Sequence, residues 1–181
     1  MVMFPTHVAV GYLLGSYSDC PVAAFLAGSV LPDVLDRPLD WVGVASHGHT
    51  VGHSLFVAVP LGIVLTYLLG ERGFAVLVGL VVHIAADITN VSTTEGPASA
   101  PQFGLWPMPI PPNGQTLPHV TFDVPVAGIT HTASPVVLAV ELAVVAFAAA
   151  AVLPDFRPSG RPRGLCPLPR PPAPPPRVPP T

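Results

Sequence analysis

Residues 47–56 read HGHTVGHSLF, three histidines within seven positions running into an apolar stretch. His49 and His53 stand four apart, a helical spacing at the point where a loop enters a helix. The same spacing recurs in VVHIAADITN, where His83 and Asp87 place an imidazole and a carboxylate on one face of an apolar helix. Ionisable groups in such a helix are costly without partners, so they mark a functional site by default. His7 follows Pro5 and Thr6 at the start of the first apolar segment, and Asp33 follows Leu31 and Pro32. Singly, these two have plain structural explanations, a helix-terminal histidine and an aspartate in a Pro-Asp turn. Taken together, imidazole nitrogens and carboxylate oxygens are the donors that suit zinc, manganese or iron, and a set without thiolate favours a catalytic metal over a closed structural one. HExxH, GxSxG and GxxxxGK[ST] are absent, and Ser54 reads as a capping or packing residue rather than a nucleophile.

The elements that must position these groups are apolar helices. The chain of 181 residues is 50% hydrophobic and only 9% charged, against roughly 25% charged in a soluble domain. Its mean hydropathy of +0.61 points to a membrane. A net charge of −3 and the lack of a basic stripe exclude nucleic acid as a partner. Segments 53–70, 74–90 and 135–153 each approach the ~20 residues that a bilayer requires. Residues 5–17 and 21–32 are shorter, and SDCP at 18–21 separates them, as in a helical hairpin or one broken span. The expected fold is therefore all-α, a helical membrane protein with about three full transmembrane helices plus an N-terminal broken helix or hairpin.

Residues 33–52 read as a loop, and 91–134, rich in Pro, Thr and Gly, as a longer one. Residues 1–153 form the membrane-embedded unit, while 154–181 are a Pro/Arg-rich tail that cannot pack a core. Cys20 and Cys166 lie far apart in different kinds of segment and give neither a disulfide framework nor a CxxC metal site.

All seven cations are arginine, and five of them, Arg157, Arg161, Arg163, Arg170 and Arg177, lie in the tail. The positive-inside rule puts that tail in the cytoplasm. Counting spans backwards then places the histidine loop and the ends of the other segments on the extracytoplasmic face of the cell (inner) membrane. Arg72 agrees with this orientation and Arg37 opposes it. Trp41 and Trp106 fall in segments assigned to that outer face, where indoles favour the headgroup level.

In order along the chain come THxxxG (Thr6, His7, Gly11), LPD (Leu31–Asp33), a His-rich element ending in His53 and Ser54, HxxxD (His83, Asp87) and LWP (Leu105–Pro107). This order resembles the bacterial and archaeal family of LexA-regulated inner-membrane metal-dependent hydrolases, and more distantly the zinc-dependent phospholipases C. The resemblance covers about residues 3–153. It implies metal ligation by His7, Asp33, His53, His83 and Asp87, and a metal-activated water attacking a phosphoester such as a lipid headgroup. His49, chosen over His47 for its register with His53, or Asp36 would act as general base or as ligand to a second metal. The expected partners are membrane lipid and a small phosphoester, and the expected cofactor is a divalent transition metal, Zn or Mn. The alternatives are a metal-binding or metal-transporting membrane protein without hydrolytic chemistry, or a structural one whose polar residues only join helices.

Overall fold

The computed structural model describes residues 3–43, 50–97, 99, 104–107, 117–124 and 129–153. The expected disordered tail, His47 and His49 lie outside these residues.

Among the described residues the chain forms five helices and one β-hairpin. Helix α1 (Phe4–Ser16) starts with Pro5 in its first turn, where no N–H is needed. A turn containing Cys20 leads into α2 (Val22–Trp41), and the two pack as a hairpin. Cys20 is buried and disulfide-bonded, which corrects the expectation drawn from its isolation in sequence. Helix α2 also runs through Pro32 and Pro38, so much of the expected loop 33–52 is helix. Pro32 leaves the Gly28 carbonyl without its usual helical donor, yet the helix continues and carries Asp33 and Asp36 on its second half.

Helices α3 (Leu55–Leu69) and α4 (Glu71–Thr94) form a second hairpin around Gly70. Gly70 has φ +58 and ψ −128, a conformation open to glycine and to almost nothing else. Helix α5 (Pro135–Val152) begins at Ser134, whose hydroxyl accepts from Val137 N at 3.3 Å, with Pro135 at its first position. Before it, β1 (Val120–Val124) and β2 (Ile129–Ala133) pair antiparallel, with Phe122 opposite His131. This hairpin stands inside what the sequence presents as an irregular loop.

Small residues let the helices approach closely. A Cβ on Gly28 would collide with the Val76 carbonyl, and one on Gly79 would lie 2.7 Å from the Phe25 carbonyl, so α2 and α4 meet nearly backbone to backbone. What they enclose is polar. Among the described residues, buried polar side chains outnumber buried apolar ones, whereas Ile63, Val64, Tyr67 and Leu68 of α3 and Val136, Val140 and Phe147 of α5 face outward. Two helices, α4 and α5, are long and apolar enough to cross a membrane, while α3, at 15 residues, is shorter.

Helix α5 contains one buried acid, Glu141, at 2% exposure. Its Oε1 accepts from Met3 N, the N-cap of α1, at 2.8 Å, and its Oε2 lies 3.2 Å from His131 Nε2 on β2. The carboxylate thus ties the last helix to the first and complements the positive end of α1.

Candidate metal centre

Helices α1, α2 and α4, with the turn ahead of α3, carry five chemically active side chains into one buried cluster. His7 comes from the first turn of α1, Asp33 from α2 just past Pro32, His53 from the turn before α3, and His83 and Asp87 from one face of α4. None is more than 4% exposed. His53 Nε2 lies 3.0 Å from His83 Nε2, 3.3 Å from Asp87 Oδ2 and 3.8 Å from Asp33 Oδ1. His83 Nε2 lies 3.2 Å from Asp87 Oδ2, and His7 Nε2 lies 3.6 Å from Asp87 Oδ1. The His7 ring stacks on that of His83, with centroids 3.6 Å apart.

Hydrogen bonds behind the rings decide which nitrogens face inward. His83 Nδ1 is 2.7 Å from the Ser29 carbonyl, which can only accept, so Nδ1 carries the proton and Nε2 presents a lone pair whenever the ring is neutral. His53 Nδ1 donates to Asp36 Oδ2 at 2.8 Å, and Nε2 is again the inward atom. Two nitrogens so arranged 3.0 Å apart, beside two carboxylates, require a positive charge between them, a proton or a metal ion. Two ligands bound tetrahedrally to one zinc at about 2.0–2.2 Å stand roughly 3.3–3.6 Å apart, within the span of the spacings found. Both oxygens of Asp33 and Nε2 of His7 are buried without a hydrogen-bond partner, as groups awaiting a cation would be. Two overlapping donor groups, His7–His83–Asp87 and Asp33–His53–His83, have the spacing to hold a metal ion, and His83 belongs to both.

Asp36 stands behind His53 rather than at the centre of the cluster. Its Oδ1 accepts from Thr50 Oγ1 at 3.0 Å and Gly52 N at 2.8 Å, and its Oδ2 from Thr50 N at 2.7 Å and His53 N at 3.3 Å as well as from the ring. Burial alone would raise its pKa, but the bonds from His53, Gly52 and Thr50 win and hold it at about 2. The engaged carboxylate orients an imidazole, which differs from the expected role as general base or ligand to a second metal.

Ser54, fully buried, sends its hydroxyl to the Trp106 carbonyl at 2.7 Å and makes no side-chain cap on α3. It clasps the LWP segment against the start of that helix. Sequence reasoning passed over the Ser29 carbonyl, Thr50, Gly52 and the His131–Glu141 pair. Of these only Glu141 carried a signal, a lone acid in an apolar helix.

No protein-family model, curated protein or solved structure matches the chain.

Proposed function

We propose that this chain is a helical membrane protein that binds a divalent transition metal, zinc or manganese, and uses it to hydrolyse a phosphoester, most fittingly in a lipid headgroup. The observation that carries the metal is the pair of inward Nε2 atoms, their tautomers set by Ser29 and Asp36, meeting the bare carboxylate of Asp33. In this reading His7, Asp33, His53, His83 and Asp87 are ligands, Asp36 orients His53, and His49 is the candidate base. A bound metal of this kind lowers the pKa of its water towards neutrality. Support for hydrolysis comes from the thiolate-free donor set and the resemblance of the five ordered motifs. Outward apolar faces on α3 and α5, together with the apolar length of α4 and α5, support the membrane setting.

One observation favours a metal-binding protein without hydrolysis as the second reading. The five side chains are nearly closed off, and the neighbouring cavity measures only about 10 Å³. Turnover separates the two. Full-length protein in detergent, supplied with zinc or manganese, is expected to release the headgroup from phosphodiester lipids, and Asp33→Asn to lose at least about 100-fold in rate, the scale of a lost ligand or its support. Metal-loaded protein that turns over no phosphodiester lipid would favour the binder.

By the positive-inside rule, the arginines beyond Pro154 favour a tail inside and a centre on the extracytoplasmic side. Helix α5, which runs from Pro135 beside the hairpin bonded to Glu141 to Val152, supports a tail on the face opposite the centre. A green fluorescent protein fused after Thr181 should fluoresce in cells, and alkaline phosphatase at the same point should be inactive. The reverse pattern would move the centre to the cytoplasmic face and replace lipid or exported substrates with soluble ones.

A further inference from the structure

Helix α2 has an outer face that the metal centre does not use. Its second half turns Pro32, Asp33 and Asp36 inward, all of them buried. Val34, Leu35, Pro38 and Trp41 are exposed and, with Val42 in the following turn, share one helical face at spacings of three, four and seven. Trp41 is 78% exposed, Val42 70% and Val34 58%. The stripe carries no charge and runs for about 12 Å, at 1.5 Å of rise per residue. A contiguous apolar face of this kind marks a surface that another apolar body covers.

The neighbouring helices identify that body. Helices α2 and α4 run the same way, since Gly79 meets Phe25 and, one turn on, His83 meets Ser29. Beyond Asp87, α4 turns polar, with Thr89 and Glu95 exposed. Helix α5, by contrast, is apolar from its first turn, where Val136 is 72% exposed. Val136 precedes Glu141, which bonds Met3 ahead of His7, so the outer face of α5 also begins beyond the centre. Apolar faces on two helices beside the polar end of a third suit the boundary between headgroups and acyl chains, where indole is favoured. We propose that the α2 stripe lies in the lipid of that boundary, on the centre's side of the bilayer, with Trp41 at headgroup level. The inference rests on the membrane reading above and deepens its substrate class. With Asp33 and Asp36 on its inner face and lipid on its outer face, α2 sets the centre level with lipid phosphoesters. The centre meets them without lifting them out of the bilayer.

The test uses full-length protein in phosphatidylcholine vesicles, with lipids brominated either beside the headgroup or near the chain ends as fluorescence quenchers. Trp106→Phe leaves Trp41 as the one tryptophan and keeps the backbone carbonyl that Ser54 binds. Its emission should fall by more than about half with headgroup-side bromines, because an interfacial helix sinks its apolar face roughly 5–10 Å into the headgroup–acyl boundary. Chain-end bromines and aqueous iodide should each quench it less. As a depth reference, Ile63→Trp in a Trp41→Phe, Trp106→Phe background puts an indole on the outward middle of α3, where chain-end bromines should quench best. If iodide reaches Trp41 and neither lipid does, the stripe stands in water and the inference falls, while a lipid response from Ile63→Trp keeps the membrane reading standing. Shielding of Trp41 from iodide and from both lipids means that a protein surface, such as a second copy of the chain, covers the stripe, and overturns the inference equally. Strongest quenching of Trp41 by chain-end bromines overturns the headgroup level. An Ile63→Trp protein that responds to neither lipid overturns the membrane reading, and this inference with it.

Discussion

Wild-type protein purified without chelator is expected to carry about one equivalent of a transition metal, and His83→Ala under about a tenth of that, because removing a ligand from a site of this kind leaves too little affinity to survive purification. His83 is the ligand whose loss should cost most. It belongs to both donor groups, stacks on His7, and faces His53 at 3.0 Å and Asp87 at 3.2 Å. His53→Ala and His7→Ala should also fall sharply. His119→Ala is the proper control, since His119 sits outside the cluster and its ring bonds only locally, to the Leu117 carbonyl at 2.8 Å. His131 is a poor control because its bond to Glu141 holds the hairpin to α5. Elemental analysis decides the matter: a metal-free wild type, or a His83→Ala protein as loaded as its parent, would sink the proposal.

The second large effect is expected at Asp36. Its replacement by alanine leaves all five ligands in place and should still weaken metal binding about 10–100-fold, the usual toll of losing a carboxylate that orients a ligating histidine. Two things are lost at once. His53 Nδ1 no longer has an acceptor to fix the ring, and the turn at Thr50–His53 loses the carboxylate that gathers its N–H groups. Asp36→Asn should fall between wild type and alanine, since its one remaining carbonyl oxygen can serve only part of that turn. Competition with a chromophoric chelator measures the affinities. Equal binding by wild type and Asp36→Ala would show that the ring is held by other means.

The five residues read from the sequence as ligands are the five that meet in the fold. They were legible because histidine and aspartate are rare and expensive in apolar segments, so each announces itself. Their bonding partners were not legible. The Ser29 carbonyl and the amides of Gly52 and His53 belong to the backbone, which every residue possesses, and only the fold selects among them. Asp36 was visible as an acid near the cluster, but its place behind His53 depends on how the turn after Thr50 folds back onto α2.

The helical class was legible in the hydropathy, and the lengths were less so. Prolines at 32 and 38 look like stops, yet α2 passes both because packing against α4 through Gly28 and Gly79 outweighs the missing hydrogen bonds. The β-hairpin was hidden in a segment whose composition resembles a loop. Its register is set by pairing between strands, and one part-buried contact is made by Asn90 Nδ2 to the Thr132 carbonyl at 2.9 Å. Cys20 offered no local hint of its bond, since spacing alone does not tell whether a cysteine is bonded.

The bond from Met3 N to Glu141 has a bearing on how the protein is born. It joins positions 138 residues apart, the first helix to the last. At ribosomal rates of about 5–20 residues per second, that separation is a delay of roughly 7–28 s. During that interval α1 has left the ribosome but lacks the carboxylate that caps it. His7, one turn further along, thus sits on a helix that packs on α2 but whose N-terminus gains its carboxylate only once α5 has been made and docked. A nascent chain halted ahead of Pro135 would carry all five residues of the cluster on synthesised helices and turns, with the N-terminus of α1 still lacking the Glu141 carboxylate.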